Sequence, residues 1–143
     1  MDTTEAILTS LWTALRADAQ LDDTAGGVRL YHKPPRDIVW PYLAHKLDTI
    51  TALDNATRPA TYTMHVWDYG PNTDRVWAIR EQLMRLLDLS RYTVPGQGIA
   101  RFWHASEAWM PDEDPNVTHL VLVFECRYAR AGEIRNIQAQ KGT

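Results

Sequence analysis

The last third of the chain contains two long β-rich segments separated by a short turn, and this feature constrains the fold more than any other. The first segment is Ile99–Trp109, the turn is Pro111–Asn116, and the second segment is Thr118–Arg130. Every second residue of the second segment is apolar, as expected for one buried face of a strand: Leu120, Leu122, Phe124, Cys126 and Tyr128. Each arm should span about 40 Å, whereas a compact domain of this length has a radius of gyration of about 14 to 15 Å. The sequence therefore predicts a C-terminal β-hairpin that crosses the whole domain.

The rest of the chain alternates between helical and extended patterns. Apolar residues recur at helical spacing in two segments, Thr3–Ala19 and Thr73–Leu89. Extended patterns predict strands at Val28–Tyr31, Tyr42–Leu47 and Ala60–Asp68. Turn-forming or polar residues predict connections at Asp22–Gly27, Asp48–Pro59, Tyr69–Asn72 and Pro95–Gly98. We predict an α+β fold, a mostly antiparallel sheet with two helices packed on one face and a long C-terminal hairpin. Residues 1–130 should form one domain, and residues 131–143 a flexible tail.

Both faces of the predicted sheet carry apolar side chains, although the helices cover only one of them. The other face needs a partner, because large exposed apolar patches mark interaction sites. The chain also has six tryptophans, a residue type that fills cores but is enriched at interface hot spots as well. We expect about half of them at subunit contacts. The predicted interface residues are Trp40, Trp67, Trp103, Trp109, Val121 and Val123.

Charge, hydropathy and cysteine content exclude several classes of protein. The net charge is −3, whereas a protein that grips DNA phosphates usually carries a basic patch. No apolar run approaches the roughly 20 residues that span a bilayer. The first residues carry acids where a secretory signal carries Lys or Arg. The single cysteine, Cys126, has no partner for an internal disulfide. We therefore expect assembly in the cytoplasm and no membrane partner.

The chain carries no arrangement of residues typical of catalysis. The phosphate-binding glycine motifs, GxSxG and HExxH are all missing, and Gly96-Gln97-Gly98 precedes a strand instead of a helix. Three histidines lie in predicted strands, where they could converge on a metal ion: His65, His104 and His119. A histidine on a sheet surface without such a role is the more common case, because nothing here has metal-ligand spacing.

Cys126 and the acidic run Asp112-Glu113-Asp114 have simple structural interpretations. Cys126 shares the apolar face of its strand, which favours a small buried hydrophobe over a nucleophile. The acidic run has the ligand type for calcium, but its position between Pro111 and Pro115 favours a solvated turn. We predict no catalytic, cofactor-binding or metal-binding residue, and therefore a protein that is not an enzyme.

Several short patterns follow one another in a set order between Ala6 and Tyr128. They are Ala14–Leu21, Gly27–Tyr31, Pro34-Pro35, Trp40–Leu43, Met64–Trp67, a helix with Arg75, Ala78 and Ile79, and Thr118–Phe124. In this order the chain resembles the tail-completion and head–tail joining proteins of siphophages, the tail terminators. The resemblance covers nearly the whole predicted domain, although each pattern is short.

The resemblance implies a structural role in a virion tail, at the head–tail junction. Such proteins form a ring, typically a hexamer, on the last ring of the tail tube. They end polymerisation of the major tail tube protein and offer a surface to the head-completion or connector protein. DNA passes through the channel without specific binding, which agrees with the mildly acidic charge. A closed ring needs head-to-tail interfaces, for which long strands and surplus tryptophans are suited.

Three alternatives remain open at the level of sequence. The chain fits a neck or minor tail protein at another position in the same particle. It also fits an enzyme or a small-molecule-binding α+β domain with a pocket lined by tryptophan and histidine, which a cavity with clustered polar side chains would indicate. The third alternative is a host protein without a phage role, for which the neighbouring genes would be decisive.

Overall fold

A six-stranded sheet with three helices makes up the part of the chain that the structure describes. The structure is a computed structural model, and it describes residues 3–48, 57–96 and 98–130. The helices are α1 (Thr3–Ala17), α2 (Ala19–Ala25) and α3 (Asp74–Leu87). The strands are β1 (Leu30–Tyr31), β2 (Tyr42–Leu47), β3 (Thr57–Tyr69), β4 (Ser90–Val94), β5 (Gly98–Met110) and β6 (Val117–Arg130). The predicted α+β class is confirmed.

The strands form one sheet in the order β1-β2-β3-β6-β5-β4. Every neighbouring pair is antiparallel except β1 with β2, which is parallel. β3 and β6 form the centre and pair from Thr57↔Ala129 to Tyr69↔Val117. β5 pairs with the other edge of β6, from Gly98↔Arg130 to Met110↔His119. The long C-terminal hairpin predicted from sequence is therefore confirmed, and one of its arms lies in the middle of the sheet.

The core lies between the helices and one face of the sheet. On that face the buried side chains alternate along the two central strands: Tyr62, Met64 and Val66 on β3, and Leu120, Leu122, Phe124, Cys126 and Tyr128 on β6. Residues three and four positions apart supply the facing helical stripes: Ile7, Leu11 and Leu15 on α1, and Val76, Ile79, Leu83 and Leu87 on α3. Strand alternation and helical spacing therefore meet in one cluster, and the helices pack on one face as predicted.

The predicted turn at Asp22–Gly27 is mostly helix, which corrects the sequence prediction. The predicted helix Thr3–Ala19 stops at Asp18, whose Oδ1 accepts a hydrogen bond from the Leu21 backbone N–H at 2.9 Å and starts α2. Gly26 ends α2 in the left-handed conformation, with φ at 66°. Leu21 is fully buried, and this burial outweighs the weak helix propensity of the aspartates around it. The described part of the chain therefore has three helices, whereas the sequence predicts two.

A short strand, β4, lies where the sequence predicts no strand. The chain leaves α3 through Leu89, which adopts a left-handed φ of 56° and is 85% exposed, and then doubles back as β4. β4 pairs with the start of β5, from Ser90↔Phe102 to Val94↔Gly98. Gly98 is needed at that start, since a Cβ atom there would collide with the backbone carbonyl of Ala129. Because of the tight reversal, α3 ends two residues before the predicted helix end at Leu89.

Three arginines of α3 join this helix to other elements. Arg75 pairs with the buried carboxylate of Asp68 at the end of β3. The next arginine, Arg80, pairs with a glutamate of β5, and Arg85 pairs with Asp18 between α1 and α2 at 2.6 Å. These contacts fix the position of α3 over the sheet, because a guanidinium group binds a carboxylate with directional hydrogen bonds.

Some sequence predictions lie outside the described residues. They concern most of the loop predicted at Asp48–Pro59 and the tail at residues 131–143. The last part of the predicted loop is strand, since β3 begins at Thr57. In the parts of the chain that the structure describes, no helix has the length and apolar character required to cross a bilayer.

Candidate functional site

The face of the sheet that points away from the helices, here called the open face, is the candidate functional site. It is centred on Trp67 of β3, Trp103 of β5, and Val121 and Val123 of β6, four of the predicted interface residues, and each is half-buried. Their placement follows from strand alternation, since their chain neighbours Val66, Phe102, Leu120, Leu122 and Phe124 all enter the core. Within residues 3–48, 57–96 and 98–130, no helix or strand packs on this face.

A stack of rings crosses one end of the open face. Trp67 lies between Tyr42 and His119, with ring centroids 5.6 Å and 3.6 Å away and interplanar angles of 8° and 14°. Cross-strand pairing brings the three together, because Tyr42 and His119 both oppose Trp67 in the register. The indole N–H of Trp67 is buried and has no hydrogen-bond partner in the described part of the chain.

Trp40, another predicted interface residue, lies at the rim of this stack. Its ring centroid is 5.2 Å from that of Tyr42 and 5.8 Å from that of Tyr69. The loop before β2 thus folds a tryptophan against the same aromatic group that Trp67 belongs to. Tyr42 and Tyr69 are not among the residues predicted from sequence, although the alternation of β3 through Trp67 to Tyr69 is a usable signal.

A pair of histidines stands beside the stack. Nδ1 of His65 and Nε2 of His119 are 2.8 Å apart, so the two rings share one hydrogen bond. Burial lowers the pKa of both imidazoles; that of His119 falls to about 4, an effect which the nearby His65 increases and Asp112 opposes. Both rings are therefore neutral at pH 7. They make the open face an uncharged aromatic surface at its centre.

The three strand histidines considered as metal ligands do not converge. His104 opposes Phe124 across the hairpin and lies on the helix side of the sheet, with its ring 5.7 Å from that of Phe124. His65 and His119 are on the open face. Among the residues that the structure describes, no three His, Cys, Asp or Glu side chains are grouped as metal ligands.

Trp109, the remaining predicted interface residue, is on the opposite side of the sheet from the open face. A β-bulge at Ala105 separates the pairs His104↔Phe124 and Ser106↔Val123, so every later residue of β5 changes face. Trp109 consequently contacts Trp77 of α3, with ring centroids 5.0 Å apart, and remains 41% exposed. The structure thus brings five of the six predicted interface residues to the open face or its rim and places the sixth in a separate exposed patch.

Cys126 and His45 are two buried titratable groups on the core side of the sheet. Cys126 is fully buried, which confirms its interpretation as a core residue, and burial raises the pKa of its thiol to about 12. His45, on the core side of β2, is not among the residues predicted from sequence. Its Nδ1 is 2.7 Å from the hydroxyl oxygen of Tyr62, and burial, together with the nearby His32, lowers its pKa to about 4.

Comparison with known proteins shows that the chain matches one protein family and resembles solved structures. The family model described as tail completion protein gp17 matches residues 9–129. A chain in the virion of a native gene transfer agent particle has a similar structure, with a TM-score of 0.74 and 17% sequence identity over 90% of this chain and 99% of that one. A second solved chain has a TM-score of 0.65 at 9% identity, over 90% of this chain and 96% of that one. No curated protein sequence matches this chain. At these identities the two structures are evidence of a shared fold.

Proposed function

The chain belongs to the tail completion protein gp17 family, and from this premise we propose that it is a non-enzymatic virion protein forming a ring that caps the tail tube. In this proposal the ring, a hexamer, ends polymerisation of the major tail tube protein and joins the tube to the head-completion or connector protein. The protein acts at the head–tail junction after assembly in the cytoplasm of the bacterial host. DNA passes through the ring without specific binding.

The observation that carries the proposal is the open face. Trp67, Trp103, Val121 and Val123 present an apolar and aromatic surface that no described helix or strand covers. A neighbouring subunit that packs on the open face removes this apolar surface from water. A closed ring requires this kind of self-association, with different surfaces of each copy in contact.

The remaining predicted contact residues have separate roles in the proposal. Trp40 extends the open-face interface at its rim, where it contacts Tyr42 and Tyr69. Trp109 and Trp77 form an exposed aromatic patch on the helix side, and we assign this patch to the tube or connector protein instead of the neighbouring subunit. Exposed tryptophans of this kind are common anchors at interfaces.

A structural role also agrees with the state of the reactive side chains. The Cys126 thiol is buried with a pKa of about 12, so it is a poor nucleophile at pH 7. His65 and His119 are neutral and hydrogen-bonded to each other, and the imidazole ring of His119 is stacked on the indole of Trp67. These groups serve packing instead of proton transfer.

The proposal is tested by mixing the purified protein with its tube protein and imaging the product by negative-stain electron microscopy. We expect six-fold rings and capped tubes. Val121→Asp should abolish the rings while the protein stays folded, because a carboxylate would be buried in the interface. Ala78→Asp is the matched control, since Ala78 is exposed on α3, away from the open face, and should leave rings intact.

Three other outcomes would contradict parts of the proposal. Tubes of unregulated length in the presence of folded wild-type protein would exclude the terminator role, and rings that bind only the connector would indicate a neck position. If Val121→Asp assembles like wild type, the open face is not the subunit interface. Trp67→Phe gives a finer test, because it removes the unpaired indole N–H and retains an aromatic side chain. We expect this variant to assemble into ring-shaped oligomers like wild type.

A further inference from the structure

A cleft of about 450 Å³ lies between α1 and the segment that contains β1. Its lining residues are Trp12, Arg16, Val28, Arg29, Leu30, Tyr31, His32 and Lys33. Every charged side chain among them is basic, although the whole chain has a net charge of −3. The cleft is therefore a local concentration of positive charge on an acidic protein.

Two arginines of the cleft, Arg16 and Arg29, are held in place without being neutralised. The guanidinium carbon of Arg16 lies 4.3 Å from the ring centroid of Trp12, whose indole N–H donates to the Leu30 carbonyl oxygen at 3.3 Å. Arg29 donates hydrogen bonds to four backbone carbonyl oxygens, those of Ala25, Gly26, Trp40 and Pro41. Carbonyl groups carry no net charge. In the ranges 3–48, 57–96 and 98–130, no carboxylate forms an ion pair with Arg16, Arg29 or Lys33.

The acidic counterpart is the turn between β5 and β6, where Asp112, Glu113 and Asp114 follow one another. Asp112 Oδ1 accepts from the Asp114 backbone N–H, and Asp114 Oδ1 accepts from the Asn116 backbone N–H, both at 2.9 Å. These contacts give the turn a defined shape. No basic side chain in the described part of the chain forms an ion pair with the three acids, and Asp112 and Glu113 are exposed.

The two charged surfaces lie at different positions along the sheet. The acidic turn joins β5 and β6, whereas the cleft lies at β1, with β2 and β3 in between. The turn extends as far as the surroundings of Tyr42 on β2, whose pKa is raised by burial and by the Asp112 carboxylate, but none of its acids lines the cleft. Each copy thus displays an acidic surface at one place and a basic surface at another, which is what a head-to-tail contact requires.

We propose that the acidic turn Asp112–Asp114 of one copy docks in the basic cleft of the next copy. This inference rests on the proposed ring and adds a second region to its interface. Four strands at about 4.8 Å spacing and about 20 Å of length offer roughly 400 Å², about half of what one partner buries in a standard interface. The charged contact supplies further area, and because charge complementarity governs orientation and encounter rate, it selects the correct head-to-tail register.

The test exchanges the charges of the two surfaces in the full-length chain. Arg16→Glu with Lys33→Glu, and separately Asp112→Lys with Asp114→Lys, should each lower the yield of rings at least tenfold in low salt. Combining the four substitutions should restore the rings, because the contact is then rebuilt with reversed polarity. Arg36→Glu with Arg91→Glu is the charge-matched control, since both arginines are exposed and outside the cleft, and it should assemble like wild type.

Each alternative outcome has a definite meaning. Rings that form normally with either pair of substitutions overturn the docking contact and leave the ring proposal intact. Loss of rings in both variants without recovery in the combined variant also overturns it, because the two surfaces are then not partners of each other.

If the wild-type chain forms no rings, the ring proposal fails, and docking is tested separately with a peptide that has the sequence of residues 108–119. The NMR signal of the Trp12 indole N–H should shift on addition of the peptide. The shift should be lost in the variant with Arg16→Glu and Lys33→Glu and in high salt. An unchanged signal in the wild-type chain overturns the docking contact.

Discussion

Arg80 of α3 and Glu107 of β5 form a bidentate ion pair, with Arg80 Nη2 2.6 Å from Oε1 and Nε 2.9 Å from Oε2 of the glutamate. Both side chains are about four-fifths buried, at 20% and 23% exposure. The pair lowers the pKa of the Glu107 carboxyl group and raises that of Arg80. It joins the helix layer to the outer strand of the hairpin just beyond the bulge at Ala105.

Removing the charge of Glu107 should destabilise the fold. Glu107→Gln breaks a charge-assisted pair that is largely shielded from water, and we expect a loss of about 1 to 2 kcal/mol in the free energy of unfolding. Glu81→Gln is the matched control, because Glu81 also contacts Arg80, at 3.1 Å, but is 69% exposed. Its effect should stay below about 0.5 kcal/mol. Urea denaturation measures both, and equal effects would mean that the pair with Glu107 has no special weight.

The bulge residue Ala105 has no partner on β6 in the register of the hairpin. Deleting it should leave Ser106–Met110 in register, because the pairs His104↔Phe124 and Ser106↔Val123 then follow each other as in a regular strand, so Glu107 and Trp109 stay on the helix side. We expect a loss of less than about 2 kcal/mol, because the Arg80 pair and the contact with Trp77 both survive. The circular dichroism signal from coupling of the Trp77 and Trp109 indoles should persist, and its disappearance would mean that the register beyond the bulge has changed. Ala105→Gly keeps the residue count, and retention of the signal with less than about 1 kcal/mol of destabilisation is expected.

His45 should make the stability of the protein sensitive to acid. Its pKa is lowered from 6.5 to about 4 in the folded state, so the unfolded chain binds the proton first as the pH falls. Stability is therefore fully present above pH 6.5 and declines as the pH falls toward 4. The shift corresponds to a loss of about 3 kcal/mol from this residue alone. His45→Gln should reduce the decline measured by denaturation at pH 7 and pH 4; an unchanged decline would assign it to other groups, His119 among them.

The thiol of Cys126 should be unreactive until the protein unfolds. It is fully buried in the core, and its pKa of about 12 leaves almost no thiolate at pH 8. A chromogenic thiol reagent should therefore label less than one in a hundred molecules in the time that labels the urea-unfolded chain completely. Rapid labelling of the native protein at pH 8 would show that β6 opens readily, against the central position of this strand.

Strong local patterns account for the parts of the fold that the sequence predicts correctly. Strand alternation in β6 is enough to assign Leu120 to the core and Val121 to the opposite face. The apolar stripe of α3 identifies its buried side. α2 escapes prediction, because the aspartates in it are typical of turns and only the burial of Leu21 stabilises the helix. β4 escapes prediction because five residues with alternating exposure are too short to distinguish from a connection.

The sequence by itself determined the hairpin, the two faces of the central strands and the surplus of tryptophans, because each depends on local periodicity or on residue type. Only the tertiary structure decided the face of Trp109, since the bulge at Ala105 is defined by the register of β5 against β6. The stack of Trp67 on His119 depends on the pairing of β3 with β6, residues far apart in the chain. The basic cleft likewise exists because α1 packs beside β1, where Trp12 meets Leu30. Strand register and the packing of distant segments depend on all contacts in the folded chain taken together. A local sequence pattern contains no information about contacts between residues far apart in the chain, so it cannot predict them.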